Sequence, residues 1–310
     1  MNRKINNKSD KKKWFFYACL IFFPLLQFAI MYVGVNFNSF LMSFQKYDTE
    51  TNSWVMIGFD NFRAVFYDLF KSPDKTLLMS ILNAMQYYAT SMLFVFPLQL
   101  LFAYYIFKKN VGWKLFRIVL FIPSIVSGVV LMILFQNYFD YFIPNILNKI
   151  FGSNIPPLAS DPATRFKSIV IFNCFISFGM IVLIYTGAMT GIPESVIEAG
   201  QLDGVNSMQE FFYLILPQIF GTVSVFLVTG IAGIFTNQLH LYTVYGTSYP
   251  DSSVITIGYY IYMNVQKNGR QMAILPYYAC LSLSLTLVVA PLILTLRSLF
   301  KKIDPMRGDL

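Results

Sequence analysis

Side chains able to perform covalent chemistry or to hold a metal are few in this 310-residue chain. Cys19, Cys174 and Cys280 lie in apolar stretches without a C-x-x-C spacing, and His240 is the single histidine. Because the sequence shows no cluster of His, Cys or acidic residues, it predicts neither a metal site nor an enzyme. No Gly-Lys pair occurs, so the G-x-x-x-x-G-K-[ST] loop of nucleotide hydrolases is absent as well. The available chemistry is therefore hydrogen bonding and binding.

A polar internal stretch, Pro193–Pro217, lies between two long apolar segments. It contains the acids Glu194, Glu198, Asp203 and Glu210 and no Lys or Arg. A polar loop of one charge sign in such an apolar chain favours contact with another protein that presents basic groups.

Two short helices are predicted in this loop. Pro193 suits the first position of a helix that continues through Leu202. Gly204 can adopt the left-handed conformation that ends a helix. Ser207 and Glu210 have the S-x-x-E spacing of a capping box, which predicts the start of a second helix.

The first of these helices carries the features expected of a docking surface. Ala199 and Gly200 are its smallest side chains and are predicted to let another surface approach closely. Glu194, Glu198 and Asp203 add a negative edge.

The apolar segments contain uncharged polar residues instead of ionisable ones. Arg117, near one end of its segment, is the exception. Buried ionisable groups mark proton relays and ion paths, so their absence favours an uncharged cargo. Amides and hydroxyls suit a polyhydroxylated solute such as a sugar, although they also join helices at about 0.6 kcal/mol each. The candidate path residues are Asn83, Gln86, Ser124, Ser127, Asn173, Ser177, Tyr185, Gln218 and Thr222.

Six apolar segments are long enough to position these residues across a bilayer, which needs about 20 residues per helix. The chain is 56% hydrophobic and 12% charged, whereas soluble domains carry about 25% charged residues. We therefore predict an all-α integral membrane protein with six transmembrane helices. The segments are Trp14–Val35, Leu77–Phe107, Leu115–Phe135, Ser168–Thr190, Phe211–Phe235 and Gln271–Leu296.

Lys and Arg residues are densest before Trp14, around residues 108–117 and after residue 296. The positive-inside tendency therefore predicts that both termini and the Pro193–Pro217 loop are cytoplasmic. Outside, Gly58–Phe62 and the following Ala64–Phe70 are predicted to form either a short interfacial helix or a plain packing loop.

Several motifs resemble a known family. Glu198–Gly200, Asp203–Gly204 and Leu216–Pro217 look like the signature loop of permease subunits of binding-protein-dependent ABC importers, where E-A-A, three residues, G and a distal L-P are typical. Tyr185–Pro193 and Gly58–Phe62 are similar to motifs of the sugar-importing, maltose-type branch. The departure is a glycine in place of the second alanine of E-A-A.

The resemblance implies a type I ABC importer permease fold in a bacterial cell membrane. Residues 1–13 would be a cytoplasmic tail, 14–72 the first span with an outer loop, 73–300 the permease core and 301–310 a second tail. Loop 191–217 of the core would dock on a dimer of cytoplasmic ATPases that binds ATP and Mg²⁺, so the chain itself needs no cofactor. A second permease, an extracytoplasmic solute-binding protein and membrane lipid are the other implied partners, and no nucleic acid.

Three function classes follow. We favour a permease subunit for a neutral sugar or oligosaccharide, with glycerol phosphate, amino acids or peptides as alternative cargoes. A phosphate group would favour Arg or Lys along the path, and none is seen at depth. A stand-alone carrier or channel is the second class, and a membrane enzyme the third.

Overall fold

The computed structural model describes residues 7–152, 154–245, 252–268 and 271–305, so half of the predicted C-terminal tail and part of the N-terminal one lie outside it. Within these ranges the chain is mostly helical. Its elements are α1 (Asn7–Gln27), α2 (Val35–Met42), β1 (Gln45–Asp48), β2 (Ser53–Met56), α3 (Asp60–Phe70), α4 (Thr76–Thr90), α5 (Phe96–Phe107), α6 (Trp113–Ile125), α7 (Gly128–Asn137), α8 (Ile143–Phe151), α9 (Arg165–Thr190), α10 (Glu194–Leu202), α11 (Ser207–Gln209), α12 (Leu216–Gln218), α13 (Phe220–Gly233), α14 (Leu241–Tyr245), α15 (Ile257–Asn268) and α16 (Leu275–Ile303).

Short π-helical segments join consecutive helices into longer ones. They connect α1 to α2, α4 to α5, α7 to α8, and α11 to α12, and they span Phe28–Gly34, Ser91–Val95, Tyr138–Phe142 and Glu210–Ile215. The first three composite helices reach membrane-crossing length, whereas Ser207–Gln218 does so only if it is taken together with α13.

In the described part of the chain, five helices are long and apolar enough to cross a membrane, or six if one bent pair is a single span. The five are Lys13–Met42, Thr76–Phe107, Gly128–Phe151, Arg165–Thr190 and Leu275–Ile303. Multiple spans are thereby confirmed, whereas a count of six and cytoplasmic termini remain predictions.

Two predicted spans are not continuous helices. The segment Leu115–Phe135 is interrupted at Val126 and Ser127, whose ψ angles of 142° and 130° are extended. The segment Phe211–Phe235 is broken at Ile219, where the flanking helices are bent by 73°. Each break follows a proline, which removes one backbone donor from the helical ladder.

The all-α prediction is wrong for the first outer loop, which contains an antiparallel hairpin. β1 pairs with β2, and the rings of Tyr47 and Trp54 face each other across the strands at 5.0 Å. Asp48 accepts hydrogen bonds from the Thr51 hydroxyl and the Glu50 amide, and these hold the pKa of Asp48 below its ordinary value. Of the two alternatives for Gly58–Phe62 and Ala64–Phe70, the structure has a helix, α3.

The contacts of the chain divide it into two compact units. The first comprises residues up to Tyr67 together with Asn268–Ser284, and the second comprises Asp68–Lys267 with the residues from Leu285 onward. Every feature of the candidate site described below lies in the second unit.

The largest apolar core of the second unit is formed by α5, α9, the segment Glu210–Ile215 and the start of α13. Its buried members are Leu100, Ala103, Ile106, Val182, Tyr185, Met189, Phe211, Ile215, Ile219 and Val223. The polar loop thus continues directly into residues of the core, which gives its second half a fixed position.

Candidate functional site

α10 is the exposed first half of the polar loop. Pro193 is its N-cap with extended ψ (134°), so the helix begins at Glu194, one residue later than expected. It ends at Leu202 as predicted, and Gly204 has the expected left-handed φ of 75°. After Gly204, the Val205 amide donates a hydrogen bond to the Gly200 carbonyl at 3.2 Å, and this bond caps the C-terminal end of α10.

The capping box of the second helix lies one residue earlier than predicted. Asn206 accepts from the Gln209 amide at 2.9 Å, and the Gln209 side chain accepts from the Asn206 amide at 2.9 Å. The prediction of Ser207 and Glu210 was therefore wrong. Asn206-x-x-Gln209 and Ser207-x-x-Glu210 both satisfy the motif, and Glu210 pairs with Lys108 instead.

Gly200 is not available for close contact with another protein, contrary to the prediction. It is buried, and a Cβ atom there would lie 2.3 Å from Cδ1 of Leu214 and 3.2 Å from Cγ2 of Val205. The glycine therefore lets α10 pack against the chain's own segment Glu210–Ile215. Ala199, by contrast, is exposed.

The outward face of α10 carries an apolar residue that sequence reasoning missed. Leu202 is 89% exposed, and the acids Glu194, Glu198 and Asp203 are exposed beside it. Helical spacing offered the signal: Leu202 follows the partly buried Ile197 by five residues, which is about 140° around the helix.

Leu216 and Pro217, the last two residues of the predicted signature, lie at the membrane-side end of the loop. Leu216 packs against the apolar core, and Pro217 is in α12 immediately before the bend at Ile219. Together with Gly200 they shape the loop, whereas Leu202 and the acids form its exposed face.

An ion pair fastens the loop to α5. Lys108 Nζ lies 2.9 Å and 3.0 Å from the two carboxylate oxygens of Glu210, whose side chain is 5% exposed. Tyr104 adds a hydroxyl hydrogen bond to the Ser207 carbonyl at 3.1 Å. The Tyr104 ring also packs on the ring of Phe211, with centroids 5.2 Å apart.

A cavity of about 320 Å³ lies in the second unit between α4, α5, α9, α13 and the residues Asn237, Leu239 and Thr256. Its walls combine aromatic rings with amide and hydroxyl groups. The aromatic lining residues are Tyr87, Tyr88, Phe96, Tyr185 and Phe226. The polar ones include Ser91, Gln99, Ser177, Thr229, Asn237 and Thr256.

Tyr185 is the most distinctive lining residue. Its ring is fully buried between Phe96 and Phe226, edge to face at 6.3 Å and 5.3 Å. Its hydroxyl has no hydrogen-bond partner among the described residues. A buried hydroxyl without a partner is energetically costly for the fold.

Two of the nine candidate path residues, Ser177 and Tyr185, line this cavity. The other seven lie elsewhere: Gln86, Ser124 and Ser127 are exposed, Gln218 and Thr222 are half-buried, and Asn83 and Asn173 are buried. Their roles in a path remain predictions.

Tyr88 and Asn237 line the cavity but were missed from the sequence. A Cβ at Gly230 would lie 2.8 Å from the Tyr88 ring, a contact between distant residues that the sequence does not reveal.

Asn83 and Asn173 hold irregular backbone in place. Asn83 Nδ2 donates to the carbonyls of Ser252 and Ile255, each at 2.9 Å, and Asn173 Nδ2 donates to the Leu239 carbonyl at 3.0 Å. These bonds satisfy carbonyls outside regular helices. Both asparagines therefore join parts of the chain, the alternative role given for polar residues in the sequence analysis.

Replacing Asn83 by leucine is expected to lower the free energy of unfolding by about 2 kcal/mol, because two carbonyls lose their donor. Thermal unfolding in detergent measures this. Gln86→Leu, on the exposed side of the same helix, is the matched control and should change stability by less than about 0.5 kcal/mol. Equal thermal midpoints for the two variants would contradict an anchoring role for Asn83.

A strained turn borders the cavity. Leu239 and His240 have φ angles of 51° and 56°, a left-handed conformation that side chains disfavour. Leu239 lines the cavity, and the His240 ring packs edge to face on Phe172 at 5.8 Å. Burial lowers the pKa of His240 and favours its neutral form.

Comparisons with known proteins agree with this architecture. Residues 96–307, more than half of the chain, match the family model described as "Binding-protein-dependent transport system inner membrane component". The arabinooligosaccharides transport system permease protein AraP of Bacillus subtilis (strain 168) is 24% identical over 269 residues, which cover 86% of this chain and 82% of AraP. The maltose/maltodextrin transport system permease protein MalF of Klebsiella aerogenes is 26% identical over 192 residues, covering 59% of this chain and 36% of MalF.

A solved structure shares the fold. A chain of a bacterial ABC transporter involved in the import of the acidic polysaccharide alginate superposes with a TM-score of 0.74 at 22% identity, covering 96% of this chain and 98% of that one. Together with the family match, this likeness confirms the resemblance noted from the signature loop. The chain belongs to the family of inner-membrane components of binding-protein-dependent transport systems.

Proposed function

We propose that the chain is a permease subunit of an ATP-driven importer for a neutral sugar or oligosaccharide. The observation that carries the proposal is α10, a short exposed helix that presents Leu202 beside three acids on a loop tied to the helices lining a cavity. Such a helix is suited to receive a force from a partner and pass it to the cavity walls.

The partner of α10 is a separate ATPase. Leu202 would enter an apolar pocket of that protein, while Glu194, Glu198 and Asp203 would face basic groups at its rim. The ATPase pair binds ATP and Mg²⁺, a second permease completes the path, and an extracytoplasmic binding protein delivers the cargo. This arrangement places the chain in the bacterial cell membrane with both termini in the cytoplasm.

The carbohydrate assignment rests on the cavity. Aromatic faces pack against the apolar faces of sugar rings, and amides and hydroxyls bond sugar hydroxyls. AraP and MalF are named for oligosaccharide transport. The described residues that line the cavity carry no charge. This favours a neutral cargo, in contrast to the acidic polysaccharide imported by the transporter of similar fold.

Reconstitution tests the proposal. The chain is co-expressed with candidate ATPase, second-permease and binding-protein subunits, purified as a complex and placed in liposomes. We expect uptake of a labelled neutral oligosaccharide that needs both internal ATP and external binding protein. Uptake by the chain alone without ATP would instead support a stand-alone carrier. A labelled acidic oligosaccharide taken up in preference would overturn the neutral assignment.

A further inference from the structure

Glu210 is the only charged residue among the buried polar residues that the structure describes. It stands at the start of the segment Glu210–Ile215, next to the buried Phe211, and both of its carboxylate oxygens are within 3.0 Å of Lys108 Nζ. Burying a carboxylate without a close partner is costly, because desolvation disfavours the charge.

The ion pair is not needed to shape the loop itself. The second helix is capped by Asn206 and Gln209. The left-handed Gly204 terminates α10 after Leu202, and α10 packs through Gly200 against Leu214. Glu210 therefore contributes a contact of another kind, between the loop and residue 108, which lies 102 positions away in sequence.

Lys108 immediately follows α5, whose opposite end faces the cavity. Its amide donates to the Tyr104 carbonyl at 2.9 Å, which continues the helix to the ion pair. Phe96 and Gln99, near the start of α5, line the cavity. One helix thus leads from the loop to the cavity wall.

We propose that Lys108 and Glu210 are a positioning pair that makes the loop and α5 move as one body. A displacement of α10 is then transmitted to the cavity wall at Phe96 and Gln99. This inference rests on the proposed function, since it names the route by which ATP hydrolysis reaches the cargo. A charge-assisted hydrogen bond is roughly twice as strong as a neutral one, so this pair resists separation of the loop from α5 better than a neutral contact would.

Charge variants in the complete reconstituted complex test the pair. Glu210→Gln and Lys108→Glu are each expected to reduce cargo uptake per ATP hydrolysed about tenfold, as typical coupling energies allow. The ATPase should remain bound. The exchanged double variant K108E/E210K should recover most of the lost uptake per ATP. Lys109→Gln is the matched control, since Lys109 is exposed and adjacent, and it should behave as the wild type.

Normal uptake per ATP in both single variants would overturn the proposal, and so would a double variant no better than the singles. Recovery in the double variant would assign the effect to the pair and not to either residue alone.

Hydrogen exchange of the chain alone separates this inference from the proposed function. In Glu210→Gln, amides of residues 205–215 should exchange at least about tenfold faster than in the wild type, because the loop loses its tie to α5. Unchanged exchange would overturn the link whatever the complex transports. Faster exchange together with a wild-type complex that shows no ATP-dependent uptake would leave the link standing and overturn its role in transport.

Discussion

Replacing Gly179 by alanine is expected to destabilise the second unit by at least about 3 kcal/mol, at the upper end of the cost of overpacking. Gly179 is buried in α9, and a Cβ atom there would lie 1.7 Å from the carbonyl oxygen of Leu120 in α6. Because the obstacle is backbone, no rotamer change relieves the clash. The two helices must separate, as expected where a small residue allows close helix packing.

Thermal unfolding and the yield of monodisperse protein in detergent measure this effect. Gly187→Ala, in the same helix, is the matched control because nothing lies within 4 Å of its added Cβ. That variant should equal or exceed wild-type stability, since alanine favours a helix. If the two alanine variants unfold at the same temperature, the close approach of α6 and α9 is wrong.

Replacing Leu202 by aspartate is expected to weaken association with the ATPase at least about 30-fold, equivalent to about 2 kcal/mol for the loss of an interface anchor. Leu202 is 89% exposed, so the chain alone should fold as before. Co-purification of the ATPase and binding measurements on the detergent-solubilised complex give the result. A charge in an apolar pocket of the partner accounts for the loss.

Two further variants define the specificity of that effect. Leu202→Met keeps an apolar side chain of similar size and should bind as the wild type. Val111→Asp introduces the same charge at another side chain, 91% exposed, in the turn between α5 and α6. Undiminished association of L202D, or an equal loss in V111D, would contradict the role of Leu202 as the anchor.

Features set by local sequence were predictable. The end of α10 at Leu202, the left-handed Gly204 and the presence of a helix after the outer loop follow from residue types within a few positions. The membrane character follows from composition, because long uncharged apolar helices are rare in soluble domains.

Features set by distant contacts were not predictable in this way. Asn206-x-x-Gln209 and Ser207-x-x-Glu210 both satisfy the capping motif; the structure uses the first, while Glu210 pairs with Lys108, 102 positions away in sequence. Likewise, Asn83 resembles a path residue until its partners, 169 and 172 positions away, are known.

The breaks in the third and fifth predicted spans illustrate a different limit. Pro123 and Pro217 precede the breaks, yet Pro291 lies inside the continuous helix α16. A proline therefore permits a break without requiring one, because neighbouring helices can satisfy the freed carbonyl. Packing decides the outcome, and packing is not visible in a hydropathy pattern.

The Asn206–Gln209 capping box has a thermodynamic consequence for any protein that binds α10. With Gly200 packed on Leu214, it means that the loop is already ordered in the single chain. Association then loses little conformational entropy, so a modest interface can give useful affinity. The heat-capacity change on binding should reflect the apolar area covered at Leu202 alone, without the additional contribution of a segment that folds as it binds.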